Sequence, residues 1–285
     1  MDDGFRDLFF TAGDGLRLHA RDYGDPAAGK LPLVCLPGLS RNARDFHRFA
    51  LCVPDRRVVA LDYRGRGGSA HDPDPANYTV AVECRDVVTV CDALGLTRAV
   101  FAGTSRGGLI LHVLAAVRPE LVAAAVLNDI GPEIEAAGLE EIRDYLSRPG
   151  THASFAAAAD ALSRLHGETF PALERADWLE MAQALHVERD GRIVPDFDPA
   201  LTAQLHAIDF TRPLPTLWPH FEQLAARPLL VVRGEHSRLF SEAVLAKMAA
   251  GRPGVRTLTA RGQGHAPLLH HPDVLPGILA FLAPL

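Results

Sequence analysis

Short runs of apolar residues alternate with amphipathic helical segments along most of the chain. The runs lie at 33–36, 58–61, 99–102, 123–127, 229–232 and 255–258, and helical periodicity lies at 77–94, 106–117 and 274–282. The first five runs contain no polar positions, which is typical of strands that helices cover on both faces. A further segment at 16–23 has the pattern of an early antiparallel strand. The chain is therefore predicted to be an α/β protein with a mainly parallel sheet.

The pattern changes between residues 131 and 220, where helical segments follow one another without a convincing buried strand. These segments lie at 139–146, 155–165 and 178–186. We interpret 131–220 as a helical cap, or lid, inserted into a core that comprises 1–130 and 221–285. Large apolar side chains occur in this block at Phe155, Leu162, Phe170, Trp178 and Trp218. Their helical spacing favours a core within the cap, but any that face a site would make its pocket apolar.

Composition and charge limit the possible partners. The chain has 285 residues, 48% of them hydrophobic and 22% charged, with a formal net charge of −6. It contains no run of Lys or Arg, so neither a nucleic acid nor an anionic membrane is expected as a partner. The first seven residues lack the basic start and apolar stretch of a secretory signal, and no apolar stretch approaches the length of a membrane span. We expect a cytoplasmic protein that acts on a small molecule.

The sequence offers no pattern for a metal or a cofactor. Its four cysteines are Cys35, Cys52, Cys84 and Cys91. Their spacing matches neither a CxxC pair nor a zinc site, so we interpret them as small core residues in a reducing compartment. His186, His206 and His220 also lack metal-ligand spacing. Residues 65–68 are rich in glycine but lack the Lys-Ser/Thr ending of a phosphate-binding loop. No cofactor and no metal are expected.

A candidate nucleophile stands at Ser105, in the segment Gly-Thr-Ser-Arg-Gly at 103–107. A predicted buried strand runs directly into this segment, and a predicted helix leaves it. A serine held on such a sharp strand-to-helix turn is exposed at the carboxyl end of the sheet, and its close neighbours, Gly103 and Gly107, must be small. The helix that follows directs its first N–H groups at the site. This context favours a catalytic serine over an ordinary turn.

A second loop can supply part of an oxyanion hole. The buried strand at 33–36 ends in Pro-Gly at 37–38 and is followed by Leu39. Acyl transfer requires two backbone donors for the oxyanion, one of them from the residue after the nucleophile. The sequence therefore predicts that the N–H groups of Leu39 and Arg106 form the oxyanion hole, and that Gly38 leaves room for the substrate.

Several segments together resemble a known family. They lie at 36–42, 61–67, 103–108, 127–132 and 262–267, where Gly-Gln-Gly-His-Ala-Pro closes the series. In order and spacing the chain resembles the α/β-hydrolase superfamily, in the branch that carries a helical lid. The resemblance implies a mostly parallel, eight-stranded sheet flanked by helices, with the lid inserted after the sixth strand. It also implies that His265, in the glycine-rich loop after the last strand, is the general base.

The acid of the expected triad is harder to place. In the proteins that the chain resembles, a carboxylate follows the seventh strand, but the residue at that position here is Arg238, which cannot accept the imidazole N–H. Asp129, at the end of the sixth strand, is the preferred replacement, because the family's strand order brings that strand end near both Ser105 and His265. Glu235 is a second candidate. A site with no carboxylate on His265 is a third possibility.

These residues predict acyl transfer to water. The resulting interpretation is a serine hydrolase that cleaves a small to medium, fairly apolar carboxylic ester or lactone through an acyl-enzyme on Ser105. A C–C hydrolase acting on a vinylogous diketone is one alternative, since similar lidded proteins use the same triad. A ligand-binding protein on a hydrolase scaffold is another, favoured only by Arg238. Arg41 and Asn42 follow the oxyanion loop and either touch a polar substrate group or hydrogen-bond within the loop.

Overall fold

Eight of the ten strands form one large sheet in the computed structural model, which describes residues 4–285. The strands are β1 (Phe5–Thr11), β2 (Arg17–Tyr23), β3 (Leu33–Leu36), β4 (Val58–Asp62), β5 (Ala99–Thr104), β6 (Val122–Asn128), β7 (His186–Arg189), β8 (Arg192–Pro195), β9 (Leu229–Gly234) and β10 (Val255–Ala260). The order in the large sheet is β1-β2-β4-β3-β5-β6-β9-β10. The first two pairings are antiparallel and the others are parallel.

Helices cover both faces of this sheet. The α-helices of residues 4–285, including those that do not touch the sheet, are α1 (His47–Leu51), α2 (Val80–Ala93), α3 (Arg106–Val117), α4 (Ala136–Leu146), α5 (Phe155–His166), α6 (Arg175–Leu185), α7 (Ala203–His206), α8 (Trp218–Ala225), α9 (Glu242–Ala249) and α10 (Leu275–Leu282). Alternate residues of each central strand belong to two separate apolar layers, one containing α3 and α8 and the other α1 and α10. Every residue of β5 and β6 is therefore buried, which explains why the runs at 99–102 and 123–127 contain no polar residues. The predicted α/β-hydrolase fold, with its eight-stranded, mostly parallel sheet, is confirmed.

The segment between β6 and β9 is mostly helical, as expected, but it also contains a β-hairpin that the sequence pattern did not reveal. Strands β7 and β8 pair antiparallel around Asp190 and Gly191, which have φ angles of 50° and 69°. An Asp-Gly pair with two positive φ angles is the usual two-residue hairpin turn. The hairpin escaped detection because Ile193 is the only apolar side chain of β8 that is buried, so no apolar run marks it.

Trp218 was grouped with the cap, but it packs elsewhere. It begins α8, which lies against α3, and its ring meets Phe221 edge-on at 5.6 Å between centroids. Both side chains belong to the apolar layer of the core. The residues of α8 carry an apolar face toward α3, so this helix extends the core rather than the cap. Phe155 and Trp178, in contrast, lie in an apolar cluster formed within the cap.

A buried histidine on α3 makes the fold sensitive to acid. His112 is fully buried, its Nδ1 contacts the carbonyl oxygen of Gly108 at 2.6 Å, and its Nε2 has no partner among residues 4–285. Burial lowers the pKa of His112 to about 4 from an ordinary value of 6.5. The unfolded chain therefore binds a proton between pH 6.5 and 4 that the folded chain does not bind, and stability is lost as the pH falls through this range.

We expect His112 to account for about 3 kcal/mol of the free energy of unfolding lost between pH 7 and pH 4. Urea unfolding at both pH values measures this loss in the wild type and in His112→Leu, where it should be smaller by that amount. His206→Leu, at an exposed position on α7, serves as the control and should leave the pH dependence unchanged. An equal loss in wild type and His112→Leu would contradict the assignment.

Candidate active site

Ser105 occupies a strained turn between β5 and α3. Its φ angle is 50°, in the left-handed region that side chains other than glycine rarely adopt, and its N–H donates to the carbonyl oxygen of Asn128 at 3.0 Å. A Cβ atom on Gly103 would lie 2.7 Å from the carbonyl carbon of Gly107, closer than van der Waals contact permits. The two glycines therefore let the chain fold back on itself sharply enough to present the serine hydroxyl above the sheet.

The imidazole of His265 lies between Ser105 and Asp129. Its Nε2 is 2.9 Å from Ser105 Oγ, and its Nδ1 is 2.7 Å from Asp129 Oδ2. The three side chains follow the carboxyl-terminal ends of the parallel strands β5, β6 and β10, and β9 separates β6 from β10 in the sheet. Asn128 holds the histidine loop in place, because its Nδ2 donates to the carbonyl oxygen of Pro267 at 2.9 Å. The structure thus brings together the three residues that the sequence favoured.

Asp129 is fully buried and its carboxylate has further donors. The N–H of Gly234 donates to Oδ1 at 2.7 Å, and the hydroxyl of Ser237 donates to Oδ2 at 2.6 Å. With the His265 contact, these bonds fix both carboxylate oxygens in one orientation. Ser237 was not singled out from the sequence, although it stands in the segment after β9 where an acid was sought. The role of the Ser237 hydroxyl becomes visible only in the structure, which shows that Asp129 lies beside it.

Neither Glu235, the second acid candidate, nor Arg238 hydrogen-bonds to the imidazole of His265. Glu235 Oε2 accepts the N–H of Gly262 at 2.7 Å, so it braces the glycine-rich loop instead. Arg238, which takes the place of the family's usual acid, is 62% exposed and pairs with Glu141 of α4 at 2.5 Å. Its charge is therefore directed to the cap and away from His265.

Leu39 and Arg106, whose N–H groups are predicted to form the oxyanion hole, both hydrogen-bond to one buried network of charged side chains. Arg106 Nε donates to Glu83 at 2.6 Å, and the other carboxylate oxygen of Glu83 accepts from Arg66 Nη1 at 2.7 Å. Arg66 Nε in turn donates to the carbonyl oxygen of Leu39 at 2.7 Å. Burial alone would raise the pKa of Glu83, but the two guanidinium charges lower it overall. The side chain of Arg106 therefore packs beneath the site, and Glu83 links both predicted donor residues.

Residues 32–272 match the sequence profile of the family described as the α/β-hydrolase fold. The chain belongs to the α/β-hydrolase family. It is 33% identical over 269 residues to the 3-hydroxybutyrate-oligomer hydrolase of Cupriavidus necator, a match that covers 90% of this chain and 89% of the relative. On these grounds the protein is a hydrolase.

Solved α/β-hydrolases superpose along the whole chain. An α/β-hydrolase from Novosphingobium aromaticivorans is 40% identical, with a TM-score of 0.90 and coverage of 99% of both chains. The structure of E-2-(acetamidomethylene)succinate hydrolase is 25% identical, with a TM-score of 0.81 and coverage of 98% of this chain and 99% of the other. Both matches also span the segment between β6 and β9.

A cavity of about 720 Å³ in the hydrolase lies between the core and the cap. A smaller recess of about 30 Å³ is bordered by Ser105, Leu39 and His265. The two spaces share Ser40, Arg41, Ile142, Tyr145 and His265 as lining residues, so the recess is the inner end of the cavity. Of the cap residues singled out from the sequence, Leu162 and Phe170 line the cavity.

Hydrogen bonds join the segment between β6 and β9 to the loop that follows β3. Asn42 Nδ2 and Arg44 Nε both donate to the carbonyl oxygen of Ala184 at 3.0 Å, and Arg44 Nη2 donates to Asp196 at 2.8 Å. Asn42 Oδ1 also accepts the N–H of Arg44. Asn42 thus serves its own loop and the cap, and does not face the substrate space.

Within residues 4–285, no group of three or more His, Cys, Asp or Glu side chains is arranged to hold a metal ion. None of the helices in this range combines the length and the apolar character needed to cross a membrane.

Proposed function

We propose that the protein hydrolyses small to medium, largely apolar carboxylic esters through an acyl-enzyme formed on Ser105. The observation that carries this proposal is the continuous hydrogen-bonded series from Ser105 Oγ through His265 to Asp129. A hydroxyl, an imidazole and a carboxylate in this order can activate the hydroxyl as a nucleophile. The family's hydrolase relatives support the same class of reaction.

In the proposed mechanism, Ser105 Oγ attacks the ester carbonyl while His265 Nε2 accepts its proton. Asp129 accepts the Nδ1–H of His265, which holds the ring in the required tautomer and stabilises the imidazolium. The N–H groups of Leu39 and Arg106 bind the oxyanion of the tetrahedral intermediate. The leaving alcohol takes the proton from Nε2 as its C–O bond breaks. Water then attacks the acyl-enzyme by the same route and releases the acid.

The cavity and one relative suggest a substrate class. The space behind the recess is large enough for a substrate of several carbon units, and apolar side chains such as Leu162, Phe170 and Met181 line it. The relative from Cupriavidus necator is a 3-hydroxybutyrate-oligomer hydrolase. We therefore propose short linear oligoesters of hydroxy acids as the first substrates to examine, with lactones of similar size beside them.

The ligand-binding alternative loses its support, because Arg238 pairs with Glu141 at an exposed position and leaves the acid's place to Asp129.

A panel of substrates tests the proposal directly. It comprises p-nitrophenyl acetate, butyrate and octanoate, the linear dimer and trimer of 3-hydroxybutyrate, an aliphatic lactone and a vinylogous diketone. We expect turnover of the butyrate ester and of the dimer.

Intact-mass analysis after treatment with a fluorophosphonate accompanies the panel, since this probe reports an activated serine whatever the substrate. We expect one adduct per chain. Cleavage of the diketone without ester turnover would replace the proposal with C–C hydrolysis. A folded protein that neither reacts with the probe nor turns over any ester would refute it.

A further inference from the structure

Arg41 borders both the recess at Ser105 and the large cavity behind it. Its side chain is 18% exposed and packs over Gly38 of the oxyanion turn. Nη1 donates to Asp45 at 3.0 Å, and within residues 4–285 the guanidinium makes no other hydrogen bond. Because Asp45 occupies Nη1, the edge formed by Nε and Nη2 is left for a ligand. That edge presents two parallel N–H donors, the geometry that matches a carboxylate.

The groups around Arg41 do not compete for this edge. Burial and the charge of Arg41 lower the pKa of His166 to about 4, so this imidazole is neutral at pH 7. Burial raises the pKa of the Tyr145 hydroxyl, while the charge of the nearby Arg41 guanidinium lowers it in part. Among the acidic groups of the cavity, Glu141 pairs with Arg238.

The remaining charged groups facing the cavity are Asp144, Arg148, Glu168 and the imidazoles of His152, His186, His236 and His265. Asp144 pairs with Arg143 at 3.0 Å, and His265 is engaged with Ser105 and Asp129. None of these groups borders the recess except His265. Of the three arginines that line the cavity, only Arg41 also borders the recess next to Ser105.

We propose that Arg41 forms a carboxylate-binding subsite that selects esters whose alcohol portion ends in a free carboxylate. This inference rests on the proposed ester hydrolysis and gives it a substrate class. In an oligoester of a 3-hydroxy acid, two carbon atoms separate the terminal carboxyl carbon from the ester oxygen. A carboxylate so close to the scissile bond fits an anchor that borders the same small recess as Ser105. The leaving group is then a free hydroxy acid, and cleavage proceeds from the carboxyl end of the oligomer.

The test compares the linear 3-hydroxybutyrate dimer with its terminal primary amide, which has the same shape and no charge. We expect the wild type to prefer the free acid by about 10- to 100-fold in kcat/KM, mainly through KM, as charge-assisted hydrogen bonds commonly contribute this much. In Arg41→Met the acid-to-amide ratio should fall to near one, and Arg41→Lys should keep part of it. The control is Arg48→Met, on α1 and paired with Glu180 at 2.7 Å outside the cavity, which should keep the wild-type ratio.

A wild type without preference for the acid, or a preference that survives in Arg41→Met, would overturn the subsite. Failure of the proposed function has a different signature: no turnover of the dimer, its amide or p-nitrophenyl butyrate, and no fluorophosphonate adduct. In that case the rise in melting temperature with free 3-hydroxybutyrate tests the carboxylate site without requiring turnover. A rise in the wild type that is lost in Arg41→Met supports the carboxylate site, and equal behaviour of the two proteins overturns it.

Discussion

Ser105→Ala should lower kcat for p-nitrophenyl butyrate by about 10⁶-fold, the loss typical of removing the nucleophile from a serine triad. The hydroxyl is the only group of the variant site that is missing, because His265 and Asp129 keep their mutual bond at 2.7 Å. What remains is binding and the two backbone N–H groups, which still give a modest acceleration over water. The alanine Cβ occupies the place of the serine Cβ at the same positive φ, so the unfolding free energy should change little.

The fluorophosphonate adduct should disappear from Ser105→Ala and persist in a second serine variant, Ser237→Ala. Ser237 lies in the same site, but its hydroxyl bonds to Asp129 Oδ2 and not to the imidazole. It therefore controls for general disturbance of the site. An adduct that survives in Ser105→Ala at the wild-type rate would place the reactive serine elsewhere and remove the basis of the acyl-enzyme mechanism.

The sheet could be predicted from the sequence because its strands are buried on both faces. Runs such as 99–102 and 123–127 have no polar interruption, and the structure extends them only to Thr104 and Asn128, where the chain reaches the site. β1 was missed for the opposite reason. It is an edge strand without a fully buried residue and with charges at Arg6 and Asp7, and it is held by backbone pairing with β2 rather than by an apolar run.

The site was predictable where its signal is local and unpredictable where it depends on contacts between distant segments. Ser105 and its glycines form one short motif. The sequence favoured Asp129 as the acid without excluding Glu235, because Asp129 meets His265 across 136 positions of sequence and this meeting depends on β6 lying beside β9. The sequence also could not show where the side chain of Arg106 points, because its partner, Glu83, lies on another helix.

Arg238 illustrates why position in a motif is a weak guide to role. Aligned with the family's usual acid, it suggested a damaged triad. In the structure the chain after β9 serves Asp129 through the Gly234 N–H and the Ser237 hydroxyl, while Arg238 points to Glu141 of the cap. The segment that usually supplies the carboxylate here supplies donors to a carboxylate from the neighbouring strand. The charge on Arg238 therefore does not oppose the imidazolium.

Asp129→Asn should lower kcat by about 10⁴-fold, as in triads whose aspartate is replaced by its amide. Both carboxylate oxygens accept hydrogen bonds, from the Gly234 N–H on one side and from Ser237 and His265 on the other. An asparagine that keeps its oxygen toward Gly234 must turn its NH₂ toward His265 Nδ1. The ring then carries its proton on Nε2, which can no longer accept the proton of Ser105. Labelling by the fluorophosphonate should slow in parallel with kcat.

Glu235→Gln is the matched control for this prediction. It makes the same chemical change on a neighbouring carboxylate, which bonds the N–H of Gly262 and does not touch the imidazole. Its kcat should stay within about threefold of the wild type, since an exposed bond of this kind contributes little. A steep loss in Glu235→Gln together with normal labelling of Asp129→Asn would reverse the two assignments. The opposite pattern would establish that the acid of this hydrolase follows β6 and not β9.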